Sequence, residues 1–224
     1  LREIYEGLGV ANDLVFLELD PDGYDRVFVG AKRFDIPKGR EHFRGRLRDR
    51  FPMEARGIDR YFDTVARISD ELQWTGPLGR LRDAAQLPLR IPSVLRYGLL
   101  PLDRFLNRCV SDPFLRAILS IQAGDHGIAP SRAPTALHAA LQDYYYEGAY
   151  YPHGGGHAIP DALVKQIRQH GGQVFLGAEV DRILFESGRA IGIRLADGQE
   201  VRADIVISNA DAGVTWGRLV DPEH

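Results

Sequence analysis

The chain has 224 residues, of which 44% are hydrophobic and 26% charged, and its formal net charge is −3. This composition is that of a globular protein with enough residues to bury a core, and the charge argues against a dedicated nucleic-acid binder. The single cysteine, Cys109, excludes an internal disulfide and favours a reducing compartment, so we expect a cytoplasmic protein.

The first predicted elements are short strands rich in Val, Phe and Leu. They are DLVFLELD and YDRVFVG, separated by the turn residues Pro21, Asp22 and Gly23, and a third candidate follows in KRFDIP. From Lys38 to about Tyr146 the pattern is mainly helical. Frequent prolines divide this stretch, so they predict short helices with many connections.

Two segments of that stretch have the clearest helical signals. In the first, apolar residues recur at helical spacing, and they are Ile58, Phe62, Val65, Ile68 and Leu72. In the second, Ser111 or Asp112 is the predicted N-cap, Pro113 takes the first helical position, and Gly124 lies near the end.

A helix and four strand candidates are predicted after residue 157. Ile159, Leu163 and Ile167 share a helical face, and Gly171 with Gly172 ends that helix. The strand candidates are QVFLG, EVDRILFE, AIGIRLAD and QEVRADIVISNAD. The apolar run 205–207 in the last of them is typical of a strand buried on both faces of a parallel sheet.

The stretch YYPHGGGH, residues 150–157, is the most unusual motif. Gly154 and Gly156 match the first two glycines of the dinucleotide fingerprint G-x-G-x-x-G. Ile159 stands at the position of the third glycine, however, and no buried strand precedes the motif. Glycines here let backbone approach a planar ligand, although spacing alone favours a loop that serves tight packing. His153 and His157 share no helical face, so no metal site is predicted.

Two arginine-rich segments are candidates for contact with a membrane. Arg40, Arg44 and Arg48 share a helical face that fits anionic lipid, phosphate or plain solvent. The segment 87–106, LPLRIPSVLRYGLLPLDRFL, fits a tunnel for an apolar substrate, a membrane-docking surface or ordinary core helices. Peripheral membrane contact therefore stays open, and no apolar run approaches the roughly 18 residues of a spanning helix.

A series of residues in the second half of the chain matches, in order, the marks of a known family. These residues are Gly154 and Gly155, Gly171 and Gly172, Val180 and Ile183, Gly188, Gly192, Gly198, Ser208, Asn209 and Asp211. In this series the chain resembles the phytoene desaturase and retinol saturase group of flavoproteins. FPMEARGIDRYFDTV and the segment that leads into the glycines, GDHGIAPSRAPTALHAALQDYYYEGAYYP, also resemble the family, so the similarity covers nearly the whole chain.

The resemblance implies an FAD-dependent oxidoreductase that forms, removes or isomerises C=C bonds of an apolar polyene or isoprenoid, such as a carotenoid or retinoid. It implies that the backbone of Val180 contacts the adenine end of FAD, and that Gly154, Gly155 and Gly156 lie near the isoalloxazine ring. Tyr150 and Tyr151 would contact the substrate. The flavin carries the hydride chemistry in such enzymes, so no catalytic acid or base is identified.

The predicted fold is α+β, in two parts of a two-domain FAD-dependent oxidoreductase. Residues 1–149 are the predicted substrate-binding region, with short strands and a helical cap, and residues 150–224 are the central part of the FAD-binding domain. The family's G-x-G-x-x-G segment is absent, so we expect a fragment that alone retains FAD weakly or not at all.

Two alternatives remain from the sequence. One is a non-catalytic module that binds an apolar ligand or a partner. The other is an amine oxidase-type flavoprotein, whose aromatic cage for the amine would come from Tyr144, Tyr145, Tyr146, Tyr150 and Tyr151. The sequence does not predict an oligomeric state.

Overall fold

A computed structural model describes residues 2–73 and 88–221, and the chain divides into two compact units. Residues 12–159 form the helical unit, and residues 1–11 together with 160–224 form the meander unit. The first helix, α1 (Arg2–Gly7), belongs to the meander unit. The units meet in sequence at residues 159 and 160, and the assignment of roles to residues 1–149 and 150–224 stays a prediction.

The helical unit contains two small antiparallel pairs of strands. Its strands are β1 (Phe16–Glu18), β2 (Asp25–Val29), β3 (Lys32–Ile36) and β4 (Tyr150–Pro152). β2 and β3 form a hairpin in which Val27 lies opposite Phe34, and β1 pairs with β4 from the far end of the unit. The three strands predicted near the start of the chain are therefore confirmed.

Most of the rest of this unit is formed by the α-helices that lie wholly within the described residues. They are α2 (Arg40–Arg50), α3 (Ala55–Gln73), α4 (Pro92–Tyr97), α5 (Leu102–Cys109), α6 (Pro113–Ser120) and α7 (Thr135–Tyr145). The predicted cap of α6 is confirmed, because the Asp112 carboxylate accepts hydrogen bonds from the N–H groups of Phe114 and Leu115, and Pro113 begins the helix.

The core of the helical unit lies around α3. Ile58, Phe62, Val65 and Ile68 are all buried, which confirms the predicted apolar face of this helix. Phe62 meets Phe43 of α2 edge to face, with ring centroids 5.5 Å apart, and neighbouring aromatic rings continue this packing. Burial of this many large side chains is the main stabilising term for the unit.

The meander unit contains an antiparallel sheet with a short apolar cluster. After α8 (Ala158–Gln169), the strands β5 (Val180–Glu186), β6 (Arg189–Leu195) and β7 (Glu200–Arg202) pair in that order. A short helix, α9 (Ala212–Val214), continues into a π-helical turn at Thr215–Leu219. The buried residues of its cluster are Ile183, Leu219 and Val220.

One predicted strand of this unit is wrong, and another is only partly confirmed, because β7 covers just the start of the predicted strand QEVRADIVISNAD. QVFLG forms no strand, and Phe175 and Leu176 in it are 72% and 93% exposed. The run 205–207 forms no strand either, and Ile205 and Ile207 are largely exposed rather than buried on both faces. A strand forms only where another backbone pairs with it, and no strand of the described residues pairs with these segments.

The predicted α+β class is confirmed by these helices and small antiparallel sheets. Among the described residues, no helix combines the length and the apolar composition needed to cross a bilayer.

Candidate functional site

The predicted substrate tyrosines lie on the ribbon formed by β1 and β4. Tyr150 lies opposite Glu18, and Tyr151 lies opposite Leu17. A hydrogen bond from the His153 N–H to the Val15 carbonyl, 2.7 Å long, extends the ladder beyond β4. Tyr150 and Tyr151 are 52% and 55% exposed, so about half of the surface of each residue is accessible to solvent.

A lysine that the sequence did not single out restrains one of these rings. The Lys38 ammonium donates to a Glu18 carboxylate oxygen at 2.6 Å and to the Tyr150 hydroxyl at 3.4 Å. It also lies 5.8 Å from the centroid of the Tyr150 ring. The bond to Glu18, and then the bond to Tyr150, raise the pKa of Lys38 above its ordinary value. Lys38 is remote from residue 150 in sequence, so no local pattern identifies it.

The glycine loop directly follows β4 and leads into α8. The Gly155 N–H donates to the Pro152 carbonyl at 3.0 Å and closes a tight turn whose third residue, Gly154, has φ of +88°. Gly155 has φ of +89°. Residues with a side chain rarely adopt such φ values, so the backbone conformation itself requires glycine at these two positions. The Ala158 N–H then donates to the Gly155 carbonyl, where α8 begins.

The space beside the glycine loop is open, which argues against the tight-packing interpretation of its sequence. A Cβ added at Gly154, Gly155 or Gly156 would meet no heavy atom of another residue within 4 Å. Tight packing therefore does not explain these glycines. Within the described part of the chain, the N–H groups of Gly154 and Gly156 donate no hydrogen bond. The loop thus offers open backbone donors of the kind that a flat, polar-edged ring can use.

Val180, the predicted contact for the adenine end of FAD, lies in the meander unit. It begins β5 opposite Leu195, and the pairing is irregular between Val180 and Arg182. The residue between them, Asp181, is bound by the Arg194 guanidinium at 2.5 Å. That hydrogen bond lowers the pKa of the Asp181 carboxyl. Such an irregularity leaves backbone groups outside the ladder, as at many ligand sites.

The meander unit also contains an apolar cavity of about 450 Å³. Its lining includes Ile183, Val206 and Trp216, and a polar pair lies in the same wall, where the Ser208 and Thr215 hydroxyls are 2.8 Å apart. This volume falls within the range of small-molecule pockets.

The five tyrosines proposed for an amine cage do not share one open site. Tyr146 is buried in the core, where it stacks on Phe62. The Tyr145 hydroxyl donates to Asp125 at 2.6 Å, whereas Tyr144 is 76% exposed. Nor do the described residues contain a group of three or more His, Cys, Asp or Glu side chains that could hold a metal ion.

The arginine face of α2 is neutralised by carboxylates. Arg40 binds Asp143 at 2.9 Å, and Arg44 binds Asp59 at 2.7 Å. Arg48 lies 3.7 Å from the same Asp59 carboxylate. This face therefore has little charge left for an anionic lipid, and its arginines connect α2 to α3 and α7.

Comparison with known proteins identifies related sequences over most of the chain. Residues 5–223 match the family described as flavin containing amine oxidoreductase. An all-trans-retinol 13,14-reductase of Rattus norvegicus is 32% identical over 202 residues, which are 85% of this chain and 33% of that protein. The Danio rerio protein of the same name is also 32% identical, over 91% of this chain and 36% of its own length.

A neurosporene-forming phytoene desaturase of Cereibacter sphaeroides is 30% identical over 98% of this chain and 43% of its own length. These names confirm the resemblance to the phytoene desaturase and retinol saturase group. The chain spans from 33% to 43% of the length of these three relatives.

Proposed function

This chain belongs to the family of flavin containing amine oxidoreductases, and from that premise we propose a function for the protein that contains it. The protein is an FAD-dependent oxidoreductase that acts on C=C or C–C bonds of an apolar polyene or isoprenoid, such as a carotenoid or retinoid. The relatives named for retinol and phytoene support this substrate class over an amine. The dispersal of the tyrosines of the amine cage supports the same choice.

The observation that carries the proposal is the open glycine loop. Gly154, Gly155 and Gly156 leave room for a flat ring directly beside the backbone, and the donors of Gly154 and Gly156 are available to its polar edge. This geometry fits the isoalloxazine ring. Val180, at the irregular start of β5 in the meander unit, is separately proposed as a contact for the adenine end of FAD. When bound, FAD supplies the hydride transfer that desaturation or saturation requires.

The residues of the chain position the substrate rather than react with it. Tyr150 and Tyr151 are half-exposed, and as successive residues of β4 they lie on opposite faces of the ribbon, so each can offer an apolar ring face to a polyene on its own side. Lys38 restrains the ring of Tyr150 through the hydroxyl and so limits its movement. No side chain here needs to transfer a proton for this role.

The proposal is tested by an absorbance scan from about 300 to 550 nm, the region in which bound flavin absorbs. The complete gene product and the 224-residue chain are each purified without added cofactor. We expect a flavin band in the gene product and little or none in the chain alone. The absence of flavin from both, even after FAD is added, would contradict the proposal.

A matched pair of variants tests the glycine loop directly. In the complete gene product, Gly156→Leu places a side chain where a Cβ meets nothing within this chain, so folding should be unaffected and flavin occupancy should fall. Gly45→Leu is the control, because a Cβ on that α2 glycine also meets nothing. Equal flavin content in the two variants would show that the ring does not approach the loop.

A second candidate function is the binding of an apolar ligand without flavin, and the cavity beside Ile183, Val206 and Trp216 is the observation that favours it. A fluorescent apolar probe that binds the chain, and whose binding is lost in Val206→Glu, would support it if the gene product contains no flavin.

We also propose that the protein contacts a membrane peripherally, since its substrate class dissolves in bilayers.

A further inference from the structure

The structure separates the two arginine-rich segments that the sequence treats alike. On α2, carboxylates from other helices neutralise the arginines. Residues 89–108 contain four arginines and a single acid, Asp103, within a chain of net charge −3. Among the described residues, Arg96, Arg104 and Arg108 of this segment form no ion pair with a carboxylate. The segment therefore keeps a positive charge that α2 does not.

Exposed leucines accompany this charge. Leu89, Leu95 and Leu99 are 85%, 58% and 90% exposed. On α5, Arg104 and Arg108 lie on the outward face, one helical turn apart. Tyr97 of α4 packs on Phe105 of α5 with ring centroids 5.7 Å apart, so the two helices are neighbours. We define Leu89, Leu95, Leu99, Arg96, Arg104 and Arg108 as the leucine–arginine surface.

The backbone around the exposed leucines is firmly anchored. The Glu71 carboxylate of α3 accepts hydrogen bonds from the N–H groups of Ser93 and Val94, and so caps the start of α4. On either side of Leu99, the Gly98 carbonyl accepts from Ala136, and the Leu100 carbonyl accepts from Thr135. Leu99 is thus held outward by an ordered turn, which costs hydrophobic free energy unless a partner covers it.

We propose that the leucine–arginine surface docks the protein on a membrane that contains anionic phospholipids. Leucines that insert at the level of the headgroups, next to arginines that meet lipid phosphates, match the chemistry of interfacial membrane binding. A second copy of the chain would present the same positive charge and so fits less well. The inference extends the proposed function by naming the membrane surface, but lipid binding itself requires no flavin.

The test is co-sedimentation of the 224-residue chain with vesicles of phosphatidylcholine alone or of phosphatidylcholine mixed with phosphatidylglycerol. We expect binding to the mixed vesicles that weakens as salt is added, because the charge contribution is screened. Leu95→Glu with Leu99→Glu should reduce binding by about tenfold for each leucine. Arg104→Gln with Arg108→Gln should reduce it by about fivefold for each arginine.

Two controls carry single changes of the same kinds in the meander unit, and they are compared with the loss expected for each residue. Leu176→Glu replaces another leucine that is 93% exposed, and Arg168→Gln replaces another exposed arginine. Circular dichroism confirms that each variant is folded. Failure of the wild type to bind mixed vesicles, or equal loss in the controls, would overturn the proposal. Sedimentation without vesicles that the double leucine variant abolishes would show instead that a second copy covers this surface.

The lipid result and the flavin result are independent. A gene product that contains flavin but binds no vesicles would reject the docking surface and leave the proposed oxidoreductase intact. If the chain binds vesicles but the gene product contains no flavin, the docking surface is supported and the proposed oxidoreductase is rejected.

Discussion

Large apolar side chains of the helical unit are buried around α3, whereas many of those in the meander unit lie at its surface. Ile58 and Phe62 are almost inaccessible to solvent, but Ile207 and Trp216 are 87% and 72% exposed. Both units have regular hydrogen-bonded elements, so backbone pairing alone does not account for the difference. The comparison teaches that burial, rather than secondary structure, sets how firmly each unit is held.

The largest expected effect is the loss of a core ring in the helical unit. Phe43→Ala removes a side chain that is 1% exposed, and we expect the free energy of unfolding to fall by about 3–5 kcal/mol. Phe185→Ala, in the partly buried cluster of the meander unit, should cost less than about 1.5 kcal/mol. Urea unfolding measures the first change, and hydrogen exchange of peptides from β5 measures the second. Equal losses of unfolding free energy in the two variants would contradict the proposed difference between the two units.

The next effect comes from a close approach of two backbones in each unit. A Cβ at Gly57 would lie 2.0 Å from the Cys109 carbonyl oxygen, and a Cβ at Gly192 would lie 2.3 Å from that of Val201. α3 and α5 are both fixed by the core, so Gly57→Ala should cost about 2–3 kcal/mol.

β7 is exposed along its length and has more room to move, but Gly192 also has φ of +154°, which strains alanine whatever the space, so Gly192→Ala should cost about 1–2 kcal/mol. Thermal unfolding of the two variants gives the ranking. Gly45→Ala serves as the control, since its Cβ meets nothing and alanine favours a helix. A larger loss of stability from Gly192→Ala than from Gly57→Ala would contradict the idea that the backbone of the meander unit adjusts more easily to an added side chain.

Alkaline pH should weaken the helical unit selectively. Burial raises the pKa of the Cys109 thiol from 9.0 to about 11, and burial with the bond to Asp125 raises the pKa of Tyr145 to about 12. The folded state holds these protons more tightly than the unfolded state. The stabilisation is therefore complete below the unfolded pKa and is lost as the pH rises through the folded one.

Between pH 9 and pH 11, Cys109 alone should remove roughly 2 kcal/mol from the free energy of unfolding. Urea unfolding across this range measures the loss, and Cys109→Ala should reduce the slope. An unchanged slope in that variant would mean that the thiol does not contribute. In the described residues of the meander unit no cysteine or tyrosine is buried, and the hydrogen bond from Arg194 lowers the pKa of its Asp181 carboxyl.

The smallest effect concerns the aspartate caps. Asp112 accepts from two N–H groups at 2.8 and 2.9 Å at the start of α6, which packs into the core. Asp211 accepts at 2.8 and 3.4 Å at the start of the short helix α9. We expect Asp112→Ala to cost about 1 kcal/mol and Asp211→Ala less than about 0.5 kcal/mol. Asn at either position retains an acceptor and should restore most of the loss in thermal unfolding.

The sequence predicts the helical unit better than the meander unit, and the reason is physical. Ile58, Phe62 and Ile68 show the spacing of α3 directly, because the pattern of a helix is local. The segment QVFLG and the run 205–207 show strand composition, but a strand also needs a partner that composition cannot name. Their exposed side chains are the result.

The residues of the candidate site also differ in how far the sequence could predict them. The glycines of residues 154–156 are visible in the sequence, but only the backbone angles and the open space beside them reject tight packing as their purpose. Lys38 could not be found, since its contact with Tyr150 depends on the return of β4 to β1. Val180 as an FAD contact stays a prediction.

Helix α1 belongs with residues 160–224 although the helical unit separates them in the chain. Gln166 donates from its side-chain amide to the Gly9 carbonyl at 2.9 Å, so the start of the chain depends on a residue made much later. During synthesis on the ribosome, the helical unit can complete its core first, while α1 waits without its partner. A nascent chain arrested far enough downstream that residues 1–159 have left the ribosome exit tunnel should therefore protect α3 from protease and leave α1 open to cleavage.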